Sequence, residues 1–532
     1  MSDPPAIEPG VAPRDEARAS GIAAAAALLA ASVLLSRVLG FAREALLAYR
    51  VGATGHADAY YAAFQLPDLL NHLLAGGALS IAFLPLYTKV RTEQGEDAAS
   101  RLLAVVLGTL GAIAAAATAL LWMAAEPAIA LQFPRFGADD QALAVRLTRI
   151  VLPAQIFFVA GGIVQVPLLA RGRFIAAAVA PLLYNAGIIA GGLLLAPQLG
   201  VEGFSWGALA GAIAGPFAVP WLDARRRVRV RARFAPLDPA FRRYLWVAAP
   251  LLFGQTLLTV DEWYGRWFGG LVGEGVIAQL SYARKLMLVP VAVVGQAVGA
   301  AALPTLAQLH AAAKHAELDR VVLGSLRATG AFGVLAAGFA FALASPLVRT
   351  VYRHGAFTAA DATAVAGLLA VLALAMPAWV TQQIASRAFY ARGDTWRPML
   401  LGTVISLLAI PLYWTLGRRF GASGLAWAGV AGMSVNTLAT LALARRLHGG
   451  PPLAPLATTL LRASVVAVAA AVVASRARLD GAGWFGAVTD VALGGAVFAG
   501  VAALGIAMLG DAALRGTALR VIRRVLPRKK HG

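Results

Sequence analysis

Cysteine is absent from the 532 residues, and charge is scarce. Without cysteine there is no disulfide and no thiolate metal site. Charged side chains make up 14% of the chain, against about 25% in a soluble domain. Acidic residues are the scarcer sign: 26 Asp and Glu face 46 Lys and Arg, a formal net charge of +20. What fills the chain is apolar, with 59% hydrophobic residues and a mean hydropathy of +0.72. No ordinary water-soluble fold hides that much apolar surface. The composition excludes a soluble enzyme, a secreted disulfide scaffold and a disordered chain. It points to an all-α polytopic membrane protein. A transmembrane β-barrel alternates apolar and polar residues in short segments. Here the apolar stretches are long, as from Ile22 to Leu35.

A charge of +20 on a soluble protein would suggest a nucleic-acid partner. In this chain the basic residues fall mostly between apolar runs, so the expected partner is the lipid bilayer and not nucleic acid. Fourteen runs of spanning length, about 20 residues each, lie between residues 21 and 510. With the amino terminus placed in the cytoplasm, cytoplasmic segments hold 28 Lys and Arg, against about nine in the opposite loops. Eight lie between Arg225 and Arg243, and seven between Arg515 and Lys530. The bias predicts both termini inside. Arg418 and Arg419 fall on the wrong side of this scheme.

The sequence repeats itself. Gly76-x-Ala78-x3-Ala82-x-Leu84-Pro85 recurs as Gly295-x-Ala297-x3-Ala301-x-Leu303-Pro304, an offset of 219. Ala170-Arg171-Gly172 recurs as Ala391-Arg392-Gly393, and Gly200-x2-Gly203-x2-Trp206 as Gly421-x2-Gly424-x2-Trp427, both at 221. The repeat predicts two pseudo-symmetric six-helix lobes plus two C-terminal helices. Parallel repeats are a transporter architecture, with substrate bound between the halves. The expected division is a disordered cytoplasmic tail over 1–20, an N-lobe over 21–222 and a basic linker over 223–243. A C-lobe follows over 244–446, then helices 13 and 14 over 457–510 and a basic tail over 511–532.

Charge inside a span costs a few kcal/mol and survives facing protein or water. The first run carries Arg37 and Arg43, about 9 Å apart along a helix and some 120° apart around it. Glu44 neighbours Arg43, and Asp58 opens the second run within reach across a short loop. The eighth run carries Arg284 and Lys285. Together these residues suggest a cationic cavity for an anionic headgroup, where Arg forks match phosphate oxygens. The plainer alternative for each residue is snorkelling to an interface. Asp261 and Glu262 lie in the seventh run, with Arg266 about one turn on.

Ser36-Arg37-Val38-Leu39-Gly40-Phe41-Ala42-Arg43-Glu44 closely resembles the opening signature of the MurJ/MviN family. Asp58-Ala59-Tyr60-Tyr61-Ala62-Ala63-Phe64, Gly77-Ala78-Leu79-Ser80, Gly355-x-Phe357-Thr358 and Phe389-Tyr390-Ala391-Arg392-Gly393-Asp394 continue the match. The resemblance covers roughly residues 25 to 510. It implies a transporter and not an enzyme: a flippase for lipid II, the undecaprenyl-diphosphate-linked peptidoglycan precursor, in the bacterial inner membrane. It implies substrate-binding roles for Arg37, Arg43 and Asp58. Lys285, with Arg284 beside it, stands where the family usually has a cavity arginine. Asn71 replaces a further family arginine, and Gly76 a family acidic residue. Some members bind sodium near Asp261, a weak metal candidate here because the eleventh run, Leu400 to Trp414, holds no Asp, Asn or Glu. No cofactor is expected. Two other readings stay open: a flippase for another polyprenyl-linked glycan, and an ion-coupled small-molecule exporter of the same superfamily.

Overall fold

The computed structural model describes residues 12–74, 83–253, 257–450, 452–479, 481–511 and 514–516. Gly76, the Gly77-Ala78-Leu79-Ser80 motif, Asp480 and residues 517–532 of the basic tail lie outside them. Among the described residues the regular structure is helical, with no strand. Lipid offers the backbone no hydrogen-bond partner, so a helix that satisfies its own groups is the stable form of each apolar run.

In chain order come α1 (Ala12–Val51), α2 (Gly55–Ala63), α3 (Gln65–Leu74), α4 (Leu84–Met123), α5 (Ala125–Gln132), α6 (Ala138–Val151) and α7 (Ala154–Leu169). Then follow α8 (Ile175–Leu194), α9 (Ala196–Leu199), α10 (Glu202–Ala212), a π-helical stretch (Ile213–Ala218), α11 (Val219–Ala224), α12 (Pro239–Phe253) and α13 (Leu257–Gly269). The last are α14 (Val276–Ala311), α15 (His315–Ala342), α16 (Ala344–Tyr352), α17 (Ala359–Ala373), α18 (Met376–Tyr390), α19 (Trp396–His448), α20 (Leu453–Arg476) and α21 (Gly483–Leu509). Residues 12–20, expected as part of a disordered tail, continue α1 as helix. Among the described residues seven helices are long and apolar enough to cross a membrane, or eight if the bent pair α17 and α18 is one span. Three of the seven contain a break: one runs from α6 into α7 across Leu152 and Pro153, Gly95 in α4 has φ 86° and Gly421 in α19 has φ 60°. Each therefore joins two helical stretches.

Packing divides the chain into two compact units, and it groups residues differently from the sequence boundaries. The first unit holds the described residues within 1–46, 66–125 and 146–253; the second holds those within 47–65, 126–145 and 254–532. Helix α12, expected to open the second lobe, belongs to the first unit because Phe241, Tyr244 and Ala248 enter the core formed by α4 and α7. In the same unit α8 meets α10 through glycines spaced four apart: Gly187 and Gly191 against Gly203, Gly207 and Gly211. A Cβ on Gly191 would sit 2.3 Å from the Gly203 carbonyl oxygen, and one on Gly207 2.5 Å from that of Gly187. Small residues let helix backbones approach closely in a membrane, where packing replaces the hydrophobic drive.

The second unit takes in 47–65 through polar contacts. Tyr282 donates its hydroxyl to the Gly52 carbonyl at 3.0 Å, and the Ala356 N–H donates to Tyr49 at 2.8 Å. Its helical core joins α15, α20 and α21 through Ala331, Ala463, Val466, Ala470 and Phe498.

The sequence repeat has a backbone counterpart. Gly200 lies at φ 57°, ψ −139°, and Gly421 at φ 60°, ψ −139°. After α7 the N–H groups of Arg171, Gly172 and Arg173 return to Leu168, Leu169 and Leu168; after α18 those of Arg392, Gly393 and Asp394 return to Phe389, Tyr390 and Phe389. Arg171 then pairs with Glu96 at 2.5 Å, and Arg392 with Asp319 at 2.7 Å.

Candidate functional site

In the first unit, α1 carries both candidate arginines. Arg43 donates Nη2 to Glu44 Oε1 at 2.7 Å and Nη1 to Asn185 Oδ1 at 3.4 Å. Asn185 in turn donates to Ser36 Oγ at 3.2 Å and to the Pro181 carbonyl at 3.2 Å. Glu44 and Asn185 are buried, so Arg43 is held by a dry acceptor on one side. A fixed guanidinium is better placed to receive an anion than a mobile one, because less rotamer freedom is lost on binding. Arg37 is exposed and makes no hydrogen bond or ion pair with a described residue. Asn71, half-buried on α3, donates Nδ2 to Oε1 of the buried Gln155 on α7 at 2.9 Å. Asn185 and Gln155 escaped the sequence reading. Their signal was a side-chain amide in an apolar run, which in a membrane demands a partner.

The second unit holds Asp58, Asp261, Arg284 and Lys285. Asp58 is buried, and its Oδ1 accepts the Ala278 N–H at 2.8 Å. The start of α14 has unpaired N–H groups and a partial positive charge, which a carboxylate satisfies. The expected substrate ligand is therefore a helix cap supplied from a distant segment. Among the described residues its second oxygen, Oδ2, has no hydrogen-bond partner.

Arg284 also differs from expectation. It is buried, and it pairs with Oδ2 of Asp261 on α13. Lys285 is half-buried. Successive helix residues turn by about 100°, so the two cations point in different directions. Arg284 faces protein. Asp261 Oδ1 accepts the hydroxyl of Tyr413 on α19. Tyr413 lies in the run that holds no Asp, Asn or Glu, and a phenol there carries no sequence signal of its partner. Glu262 pairs with Arg266 one turn on, at 2.7 Å. Among the described residues no three His, Cys, Asp or Glu side chains gather to hold a metal. Both oxygens of Asp261 already accept hydrogen bonds from neighbouring side chains, Arg284 and Tyr413, which a metal ion would have to displace.

The family model described as "Lipid II flippase MurJ" matches residues 47–481. A lipid II flippase MurJ of Burkholderia cenocepacia is 30% identical over 421 residues, covering 76% of this chain and 80% of that protein. A probable lipid II flippase MurJ of Rhizobium tropici is 31% identical over 402 residues, covering 73% and 75%. Among solved structures, a lipid II flippase MurJ in an inward closed conformation superposes with a TM-score of 0.78 at 22% identity, over 91% of this chain and all of that one. An inward-facing MATE multidrug transporter gives a TM-score of 0.66 at 15% identity, over 78% and 94%. These two likenesses show the fold. The match of the family model, over most of the chain, with two relatives at or above 30% identity, shows more: this multi-pass membrane protein belongs to the MurJ family.

Proposed function

We propose that the protein is a transporter that moves lipid II from the cytoplasmic to the periplasmic leaflet of a bacterial inner membrane by alternating access. The observation that carries this reading is Arg43. It is an arginine within an apolar helix, braced by Glu44 and Asn185, in a chain of this family. Glu44 offsets the cost of placing this charge in an apolar helix, and a guanidinium with five N–H donors can still bind an anion. The diphosphate of a lipid-linked precursor is such an anion, and Arg37 on the same helix supplies further charge. The polyprenyl tail stays in lipid while the headgroup crosses, and no covalent bond changes. Fourteen spans with both termini in the cytoplasm fit the loop-charge bias. The basic segment 223–243 then lies in the cytoplasm.

Asn71 and Lys285 favour a second reading. Both replace arginines in the family pattern, and a lysine loses the bidentate fork. A related polyprenyl-linked glycan is the alternative substrate. Depletion and rescue decide between them. A bacterium depleted of its own lipid II flippase should regain growth and shape when this chain is expressed. Insertion without rescue would reject the lipid II assignment.

A further inference from the structure

A buried cluster in the second unit has no task in the proposed transport step. Asp261 on α13, Arg284 on α14 and Tyr413 on α19 are 5%, 7% and 1% exposed. The guanidinium of Arg284 binds one carboxylate oxygen of Asp261, and the Tyr413 hydroxyl binds the other. Both donors point hydrogens, not lone pairs, at the space around the carboxylate. The surroundings are cut to admit them. A Cβ on Gly429 would lie 3.0 Å from Asp261 Oδ1 and 3.3 Å from the Tyr413 hydroxyl, and one on Gly265 3.4 Å from Arg284 Nη2. Tyr264 stacks edge-on against Tyr413 with ring centres 5.1 Å apart and ties its own hydroxyl to the Ser406 carbonyl at 2.9 Å.

A lone carboxylate at this depth would draw a cation, because an isolated buried charge is far costlier than a paired one. Here the cation is already covalently attached. We propose that Arg284 is a tethered counter-ion: it permanently fills the place at Asp261 that an exchangeable monovalent cation would need. The transport cycle of this chain then takes no sodium through Asp261. Arg284 is a positioning residue, fixing α14 against α13 and, through Asp261, against Tyr413 of α19. Removing its side chain leaves a carboxylate, a phenol oxygen and a vacated space, which together make a sodium site. The inference rests on the membrane reading above and not on the identity of the transported headgroup.

The test needs no substrate. Thermal unfolding of the purified full-length protein in detergent is compared in sodium, potassium and choline chloride at matched ionic strength. The wild type and Arg284→Lys should unfold at the same temperature in all three. Arg284→Ala should gain about 2 °C or more in sodium over choline, since a ligand bound only to the folded state raises its stability. The double variant Asp261→Asn with Arg284→Ala should lose that gain. A sodium-specific shift in the wild type would overturn the proposal. So would a folded Arg284→Ala protein indifferent to sodium. If Arg284→Ala does not fold, sodium-indifference of the wild type and Arg284→Lys supports the proposal, and sodium-dependence of either overturns it. Failure of growth rescue with a sodium-indifferent wild type would count against the lipid II reading alone.

Discussion

Asp58 accepts the N–H of Ala278 at 2.8 Å, so a carboxylate at the head of α2 closes the first turn of α14 from 220 residues away. Gly275 makes the junction tight. Its φ is +78°, and a Cβ there would sit 2.3 Å from the Ala53 carbonyl oxygen. Asp58→Ala should therefore lower stability, by about 1–2 kcal/mol for a lost cap. Asp58→Asn keeps an acceptor oxygen and should lose less. Thermal unfolding of both variants checks the order. An alanine variant as stable as wild type would remove the capping role.

Arg43→Ala should leave the protein inserted and folded yet cut rescue of a flippase-depleted strain at least about tenfold, since a charge-assisted contact to phosphate contributes strongly. Arg37→Ala should behave alike. Lys285→Arg should be tolerated where Lys285→Ala is not, because the position needs charge before fork geometry. Wild-type growth with both helix-1 variants, or equal growth of the two Lys285 variants, would reject the cationic site.

The repeat glycines predict matched damage. A Cβ on Gly203 would lie 2.5 Å from the Ala196 nitrogen, and one on Gly424 2.0 Å from the Leu416 carbonyl oxygen. Backbone cannot yield at such distances without shifting a helix. Gly203→Ala and Gly424→Ala should each cost roughly 1–3 kcal/mol, the range for overpacking. The exposed Trp206 and Trp427, three residues on, should accept Phe with little loss. Unfolding temperatures of the four variants report this directly.

Asp511 follows α21 and ties it to two other helices. It accepts Thr459 Oγ1 at 2.6 Å and Arg327 Nη2 at 2.8 Å on one oxygen, and the Leu514 N–H at 2.9 Å on the other. Burial pushes its carboxyl up, but the bonds from Thr459, Leu514 and Arg327 outweigh that and hold it at about 2. The unfolded value is about 4. Its contribution to stability is thus complete above about pH 4 and fades as pH falls through about 2. Asp511→Ala should lower the unfolding temperature at pH 7, and the gap from wild type should shrink in acid. Truncation after Arg515 should leave transport intact, while truncation at Leu509 should not. A short truncation that stays inserted but loses transport would give the basic tail a function.

Alternating access predicts two-sided labelling. The chain has no cysteine, so a single introduced thiol labels without background. Asn71→Cys should react with a small membrane-impermeant reagent from either side. A cysteine at Arg226 should react only from the cytoplasm and one at Asp480 only from outside. Adding lipid-linked substrate should change the Asn71→Cys rate alone. Labelling from one side under every condition would argue for a static groove.

The sequence by itself determined the environment and the chain's kinship. Apolar runs with self-satisfied backbones leave lipid as the solvent and helix as the form, and the signature from Ser36 to Glu44 is contiguous enough to identify a family. It also carried the repeat, because a glycine in a left-handed conformation, as at Gly200 and Gly421, leaves a fixed mark in the residue string. Tertiary structure alone decided which charges meet. Asp58 and Ala278, or Asp261 and Tyr413, are far apart in sequence, and no periodicity links them. Adjacent Arg284 and Lys285 look alike as letters, yet one residue step of about 100° gives the first a buried carboxylate and leaves the second half-buried. In an apolar medium each ionic group is governed by the few partners beside it, and only the folded chain chooses those partners.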